Sequence, residues 1–195
     1  METINKKTIA KSVSKLLEPP LLTLILIILV SSFLYDNFHY AEFIISVFFM
    51  SVVPVATILV WSQLIKEEKM DIPNKEDRII PYVLIVLSYL ICTLVLFEVG
   101  DGIHQPLLFI SLSYFIGTSI LALINILWKV SVHTAGVGIF SSIAICTFGM
   151  AGMITILLIP IAIWDRLYLK KHSAPQLICG CIIGYLVPIC LYLLI

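Results

Sequence analysis

The chain has 195 residues, 61% of them hydrophobic and only 12% charged, with a formal net charge of zero. Soluble domains are about 45–50% apolar and about 25% charged, so this composition, with a mean hydropathy of +1.10, excludes a soluble globular domain and fits an integral membrane protein. The length suits one domain over 1–195, and the balanced charge argues against a nucleic-acid partner.

Residues 1–18 carry Lys6, Lys7, Lys11 and Lys15, with Ile9, Val13, Leu16 and Leu17 at helical spacing. That pattern predicts an interfacial amphipathic helix on an anionic membrane surface, ahead of a helix bundle over 19–195. No small-residue cleavage site follows, so it is not read as a signal peptide. A bilayer-spanning helix needs about 20 mainly apolar residues. Pro19 and Pro20 open a first span to about Tyr35. A second runs from about Phe43 to Leu64, with Pro54 as an expected kink. After a polar loop, 66–78, a third span covers about Ile79–Phe97. The turn around Glu98, Asp101 and His104 is read as solvated rather than metal-binding. Pro106 opens a fourth span, which ends near Trp128.

The stretch 134–163 reads as two short spans broken at Phe148-Gly149-Met150-Ala151-Gly152, and a last span covers about Pro175–Ile195. The expected fold is therefore all-α and polytopic, with six or seven transmembrane helices. Seven spans put all twelve Lys and Arg residues on one side, with His39 and His104 on the other. A single helix over 134–163 would carry Arg166, Lys170 and Lys171 across. Lys and Arg concentrate in cytoplasmic loops, so the N-terminus and the basic side are expected in the cytoplasm. Trp61, Trp128 and Trp164 fall near span ends on that side, as an interfacial aromatic belt does. The five cysteines lie in apolar runs without metal or redox spacing and read as small packing residues.

The basic side also concentrates chemistry. Lys129 and His133 are four apart and expected on one helix face, with Ser131 between them at a helix start, where free N–H groups favour an anion. Arg166 precedes His172 by six residues, and His172 precedes Gln176 by four on the last helix. Arg78 opens the third span. Guanidinium forks, a lysine, a hydroxyl and two imidazoles together suit a phosphate. Lys170 and Lys171 read as anchors near lipid head groups.

Ser131-Val132-His133 resembles the Ser-Gly-His core of the type 2 phosphatidic acid phosphatases. Arg166, five residues and His172 resemble that family's third motif, and 128–185 follows its order. The resemblance implies an integral-membrane, metal-independent phosphatase of lipid phosphates or diphosphates, prenyl or glycerolipid, that needs no cofactor. It makes His172 the nucleophile of a phosphohistidine intermediate, His133 the general acid, and Arg166, Ser131 and Arg78 the phosphate ligands, with Lys129 beside them. The family's acid four residues after the nucleophile is Gln176 here, expected to orient His172. Val130, Val132 and the degenerate Lys-to-Arg78 motif are further departures. The expected location is a bacterial inner membrane, and the expected partners are a lipid phosphate and membrane lipids. The alternative is a non-catalytic lipid-phosphate binder or transporter, motivated by Gln176. A polyprenyltransferase fits poorly, because Asp71 with Asp77 makes no pair of aspartate-rich motifs.

Overall fold

The computed structural model describes residues 5–65, 72, 74–100 and 105–195. These residues are helical, without strands. Helix α1 (Lys6–Leu16) meets α2 (Pro19–Phe33) at a 49° bend. Helix α3 (Tyr40–Val47) runs through a π-helical stretch, Phe48–Val52, into α4 (Val53–Leu64). A 3₁₀ turn, Glu76–Arg78, leads into α5 (Ile79–Val99), followed by α6 (Pro106–Leu127). Helix α7 (Val132–Phe148), a 3₁₀ stretch (Gly149–Leu157), α8 (Leu158–Tyr168) and α9 (Ala174–Leu194) complete the chain. Asp101, His104 and 66–71, with Lys69 and Asp71, lie outside the described residues.

Prolines mark three of the helix starts, where a missing N–H leaves no helical bond unmade. Among the described residues, five helices are long and apolar enough to cross a membrane, or six if the bent α1–α2 pair counts as one. On α5, Leu84, Leu87, Ile91 and Leu94 stand exposed, an apolar stripe that fits a membrane environment.

Pro54 acts one turn upstream of itself. It supplies no N–H, and the preceding turn widens to π geometry. The Phe49 carbonyl there accepts the Ser88 hydroxyl of α5 at 2.7 Å. A neighbouring hydroxyl is a usual way to satisfy a carbonyl where a membrane helix departs from regular geometry.

The run Val132–Tyr168 passes, by length and composition, for one 37-residue span. Its geometry excludes that. A straight helix would separate His133 from Arg166 by roughly 50 Å, yet their side chains are hydrogen-bonded at 2.5 Å. The chain turns at Gly149, whose φ of 58° lies in the left-handed region that glycine enters without steric cost. Gly152 then packs where a Cβ would run into the Ala144 carbonyl. Ser141 Oγ donates to the Thr155 carbonyl at 3.0 Å, joining the two arms. The turn falls at the predicted Gly-rich break.

Helix α1 packs on α8 with Ala10, Ser14 and Leu17 buried, while Ile9 and Leu16 of the apolar stripe are 41% and 64% exposed.

Helices α7 and α9 make the tightest pairing. A Cβ on Gly180 or Gly184 would meet the backbone of Ser131 or Ala135, and one on Gly138 the carbonyl of Cys181. Lipid tails are as apolar as leucine, so helices in a membrane associate through close packing of small residues and interhelical hydrogen bonds. This pairing sets where the two ends of the motif region meet.

Candidate functional site

The corner between α6 and α7 organises the site. Ser131 caps α7, its Oγ accepting from Thr134 N at 3.3 Å, and its own N–H donates to the Gln176 carbonyl at 3.3 Å. Thr134 Oγ1 donates to the Leu177 carbonyl at 2.9 Å, tying the first turn of α9 to the first turn of α7. Val130 O accepts from Arg78 Nη1 at 3.4 Å, while Arg78 Nε donates to Ile72 O at 2.7 Å. Lys75 Nζ donates to Ile126 O and Leu127 O at 3.1 and 3.2 Å, where cationic donors suit the open carbonyls of a helix C-terminus.

His172 reaches the corner through the turn after α8. Lys171 N donates back to Arg166 O at 3.0 Å, with Lys170 left-handed at φ 54°, the closing bond of a Schellman turn. His172 therefore precedes α9 rather than lying on it. Ser173 is the N-cap, and Gln176 completes a capping box. Gln176 Oε1 accepts from Ser173 N at 3.0 Å and faces His172 Nδ1 at 3.2 Å. An oxygen held by a backbone N–H can only accept, so the network assigns a proton to His172 Nδ1, leaving Nε2 as the lone-pair nitrogen of the neutral ring.

His133 takes the opposite arrangement. Arg166 Nη2 lies 2.5 Å from His133 Nδ1. A guanidinium has donors and no acceptor, so Nδ1 is the acceptor and the neutral ring carries its proton on Nε2. That nitrogen faces Asp165 Oδ2 at 3.5 Å. Asp165 is fully buried, and its other oxygen is 3.8 Å from Arg166 Nε. Glu18, at the α1–α2 bend, places a carboxylate oxygen 3.6 Å from Arg166 Nη2. A buried charge is tolerated only when it is paired, and Glu18 and Asp165 share the Arg166 guanidinium, at 3.6 and 3.8 Å.

His133, His172, Arg78, Arg166 and Glu18 line one cavity of about 150 Å³. Its other walls are mostly apolar or aromatic: Pro54 and Ile58 of α4, Ile85 and Tyr89 of α5, Tyr114 and Leu121 of α6, and Ile139 of α7. Two imidazoles and two guanidinium groups thus share a chamber whose remaining wall is greasy. Such a chamber sets charged donors beside an apolar surface, the usual division of a ligand site.

Three expected site residues stand elsewhere. Ser131 is fully buried, its hydroxyl serves as the cap of α7, and it is not in the cavity wall. Lys129 does not share a helix face with His133, because α7 starts only at Val132. Its ammonium reaches toward the Lys171 carbonyl at 3.5 Å, bracing the turn before His172. Gln176 acts on His172 from outside the wall.

Two residues were missed by sequence reasoning. Asp165 sits beside Arg166 at the end of an apolar run, and an ionisable residue there is a signal of function or pairing. Glu18 adjoins Pro19 and offered no such signal. The chain matches no family model, no curated protein and no solved structure.

Proposed function

We propose that the protein is a membrane lipid phosphatase that removes a phosphate from a prenyl or glycerolipid phosphate or diphosphate. The observation that carries this reading is the shared cavity of His133, His172, Arg78 and Arg166 with its apolar wall. The lipid tail lies against the apolar wall and the phosphate meets the guanidinium groups. His172 Nε2 attacks phosphorus, forming a P–N bond as the P–O bond to the lipid breaks. His133 protonates the departing oxygen. Water then attacks the phosphohistidine and releases inorganic phosphate, the arginines holding the phosphoryl oxygens through both steps. No step calls for a cofactor. The resemblance of Ser131-Val132-His133 and Arg166 through His172 to the type 2 phosphatidic acid phosphatases supports the same reading.

The proposed topology has seven crossings: α2, α3 with α4, α5, α6, α7, the Gly149–Tyr168 return, and α9. Helix α1 lies at the interface, and the N-terminus and site face the cytoplasm of a bacterial inner membrane. Its support is the positive-inside rule, since every Lys and Arg then falls on one side. A C-terminal green fluorescent protein fusion is expected to be dark and a C-terminal alkaline phosphatase fusion active; the reverse pair would overturn this orientation.

The enzymatic test is phosphate release by detergent-purified protein from a panel of prenyl and glycerolipid phosphates. Release from at least one is expected. None from any, alongside a working lipid phosphatase control, would defeat the reading. The second reading, a lipid-phosphate binder without turnover, is favoured by one observation: the group facing His172 Nδ1 is the neutral amide of Gln176. In that case binding persists without release.

A further inference from the structure

We infer that Asp165 is the positioning residue of His133, and that His133 acts on the substrate through Nδ1. The inference rests on the phosphatase reading and adds to it the identity of the working nitrogen and of its supporting acid.

Asp165 is fully buried, and one of its oxygens faces His133 Nε2 at 3.5 Å. The opposite nitrogen, Nδ1, accepts from Arg166 Nη2. The two contacts divide the ring. Nε2 points at a fixed, buried carboxylate on α8. Nδ1 points at a guanidinium that also reaches the cavity, where Arg166 and His133 stand together with Glu18, Arg78 and His172.

A phosphate entering this cavity competes for Arg166, because a guanidinium binds phosphate oxygens through paired charge-assisted bonds stronger than one to a neutral imidazole. When Arg166 turns to the phosphate, Nδ1 is released on the substrate side. It takes up a proton from solvent, which the water that later attacks the phosphohistidine gives back, and the ring becomes an imidazolium held at Nε2 by the carboxylate of Asp165. Nδ1–H then passes that proton to the departing lipid oxygen as the P–O bond breaks, which returns the neutral Nε2–H ring. Asp165 keeps its negative charge throughout. A carboxylate behind an imidazole holds its tautomer and stabilises its cationic form without itself becoming protonated.

Two other observations fit this role. Asp165 is on the same helix as Arg166, so one element fixes both partners of the ring. The nucleophile His172 faces the amide of Gln176 with its Nδ1, whereas the fully buried Asp165 stands behind His133.

The experiment compares the wild type with Asp165→Asn and Asp165→Glu on two substrates, an alkyl lipid phosphate and a nitrophenyl phosphate. A poor leaving group needs general acid and a good one does not. General acid catalysis is worth about 10²–10⁴-fold, so Asp165→Asn is expected to slow the alkyl substrate by roughly tenfold or more and the nitrophenyl substrate by much less. Asp165→Glu is expected to recover part of the alkyl rate. Equal losses on both substrates would overturn the inference. Independently of turnover, ¹⁵N spectra of histidine-labelled protein saturated with inorganic phosphate, which draws Arg166 from Nδ1, are expected to show more His133 imidazolium in the wild type than in Asp165→Asn. An unchanged His133 signal would overturn the inference even in an active enzyme. A changed signal in a protein that releases no phosphate would defeat the phosphatase reading and leave the Asp165–His133 pairing standing.

Discussion

Arg166 Nη2 and His133 Nδ1 meet at 2.5 Å although 33 residues separate them in the chain. The contact exists because the chain reverses at Gly149 and brings the last turn of α8 back to the first turn of α7. It carries Arg166 to the corner that holds Ser131 and His133, and the Schellman turn at Lys170 then delivers His172 to the same cavity. A hydrogen bond between two buried ionisable side chains also makes the reversal energetically specific. Removing one partner of such a bond typically costs about 1–3 kcal/mol, because the other buried polar group is left unsatisfied.

Replacing the proposed nucleophile is the sharpest test. His172→Ala is expected to abolish phosphate release, and acid-labile, base-stable labelling from a radioactive lipid phosphate should vanish with it. His172 lies in a half-buried turn outside the α7–α9 packing, so the variant should remain extractable and folded. Release at the wild-type rate would reject His172 as nucleophile.

Gln176→Asp distinguishes a weakened enzyme from a binder. The amide oxygen of Gln176 holds both Ser173 N and His172 Nδ1, and a carboxylate there would stabilise the charge that His172 acquires as it bonds phosphorus. An increase in kcat of roughly tenfold is expected, about 1.4 kcal/mol of transition-state stabilisation. A variant that binds lipid phosphate and still releases none would favour the binding protein.

Glu18 occupies the place of a competing anion at Arg166. Glu18→Gln is expected to tighten binding of a lipid phosphate by about two- to fivefold, the range of a partly exposed ion pair. The gain should shrink at high salt, where such pairs are screened. Weaker binding by the variant, read by titration in detergent, would show that Glu18 supports the site rather than competing for it.

Gly184→Val probes the α7–α9 contact away from the cavity. A side chain there meets the Ala135 carbonyl, and overpacking a tight contact costs typically 1–3 kcal/mol. A Tm lowered by several degrees in detergent is expected. A melting curve identical to the wild type would mean that the two helices do not sit this close.

The sequence made the helix limits legible because they are written in local chemistry. Pro19, Pro106 and Pro175 each open a helix, and Gly149 takes the one backbone conformation that other residues avoid. The membrane class followed from composition, and the gathering of His133, Arg166 and His172 followed from their spacing once the chain was read as reversing. What escaped depended on direction rather than order. Nothing in the spacing of Ser131 says that its hydroxyl turns to Thr134 N, and nothing in the spacing of Lys129 says that the helix begins three residues later. The face that α1 buries joins Leu17 of the apolar stripe to Ala10 and Ser14, small side chains that hydropathy counts as weak. Asp165 was visible as an acid in an apolar run, but its partner came from another helix.

The corner at 130–134 has a consequence for how the protein can change. Val130 holds Arg78, His133 holds Arg166, and Ser131 and Thr134 hold the start of α9. One inserted residue there would swing α7 by about 100° about its axis and detach all of these at once. Exposed helix faces are free to drift, but this short bend is a ruler, and any variant that resizes the cavity beside it must recut it.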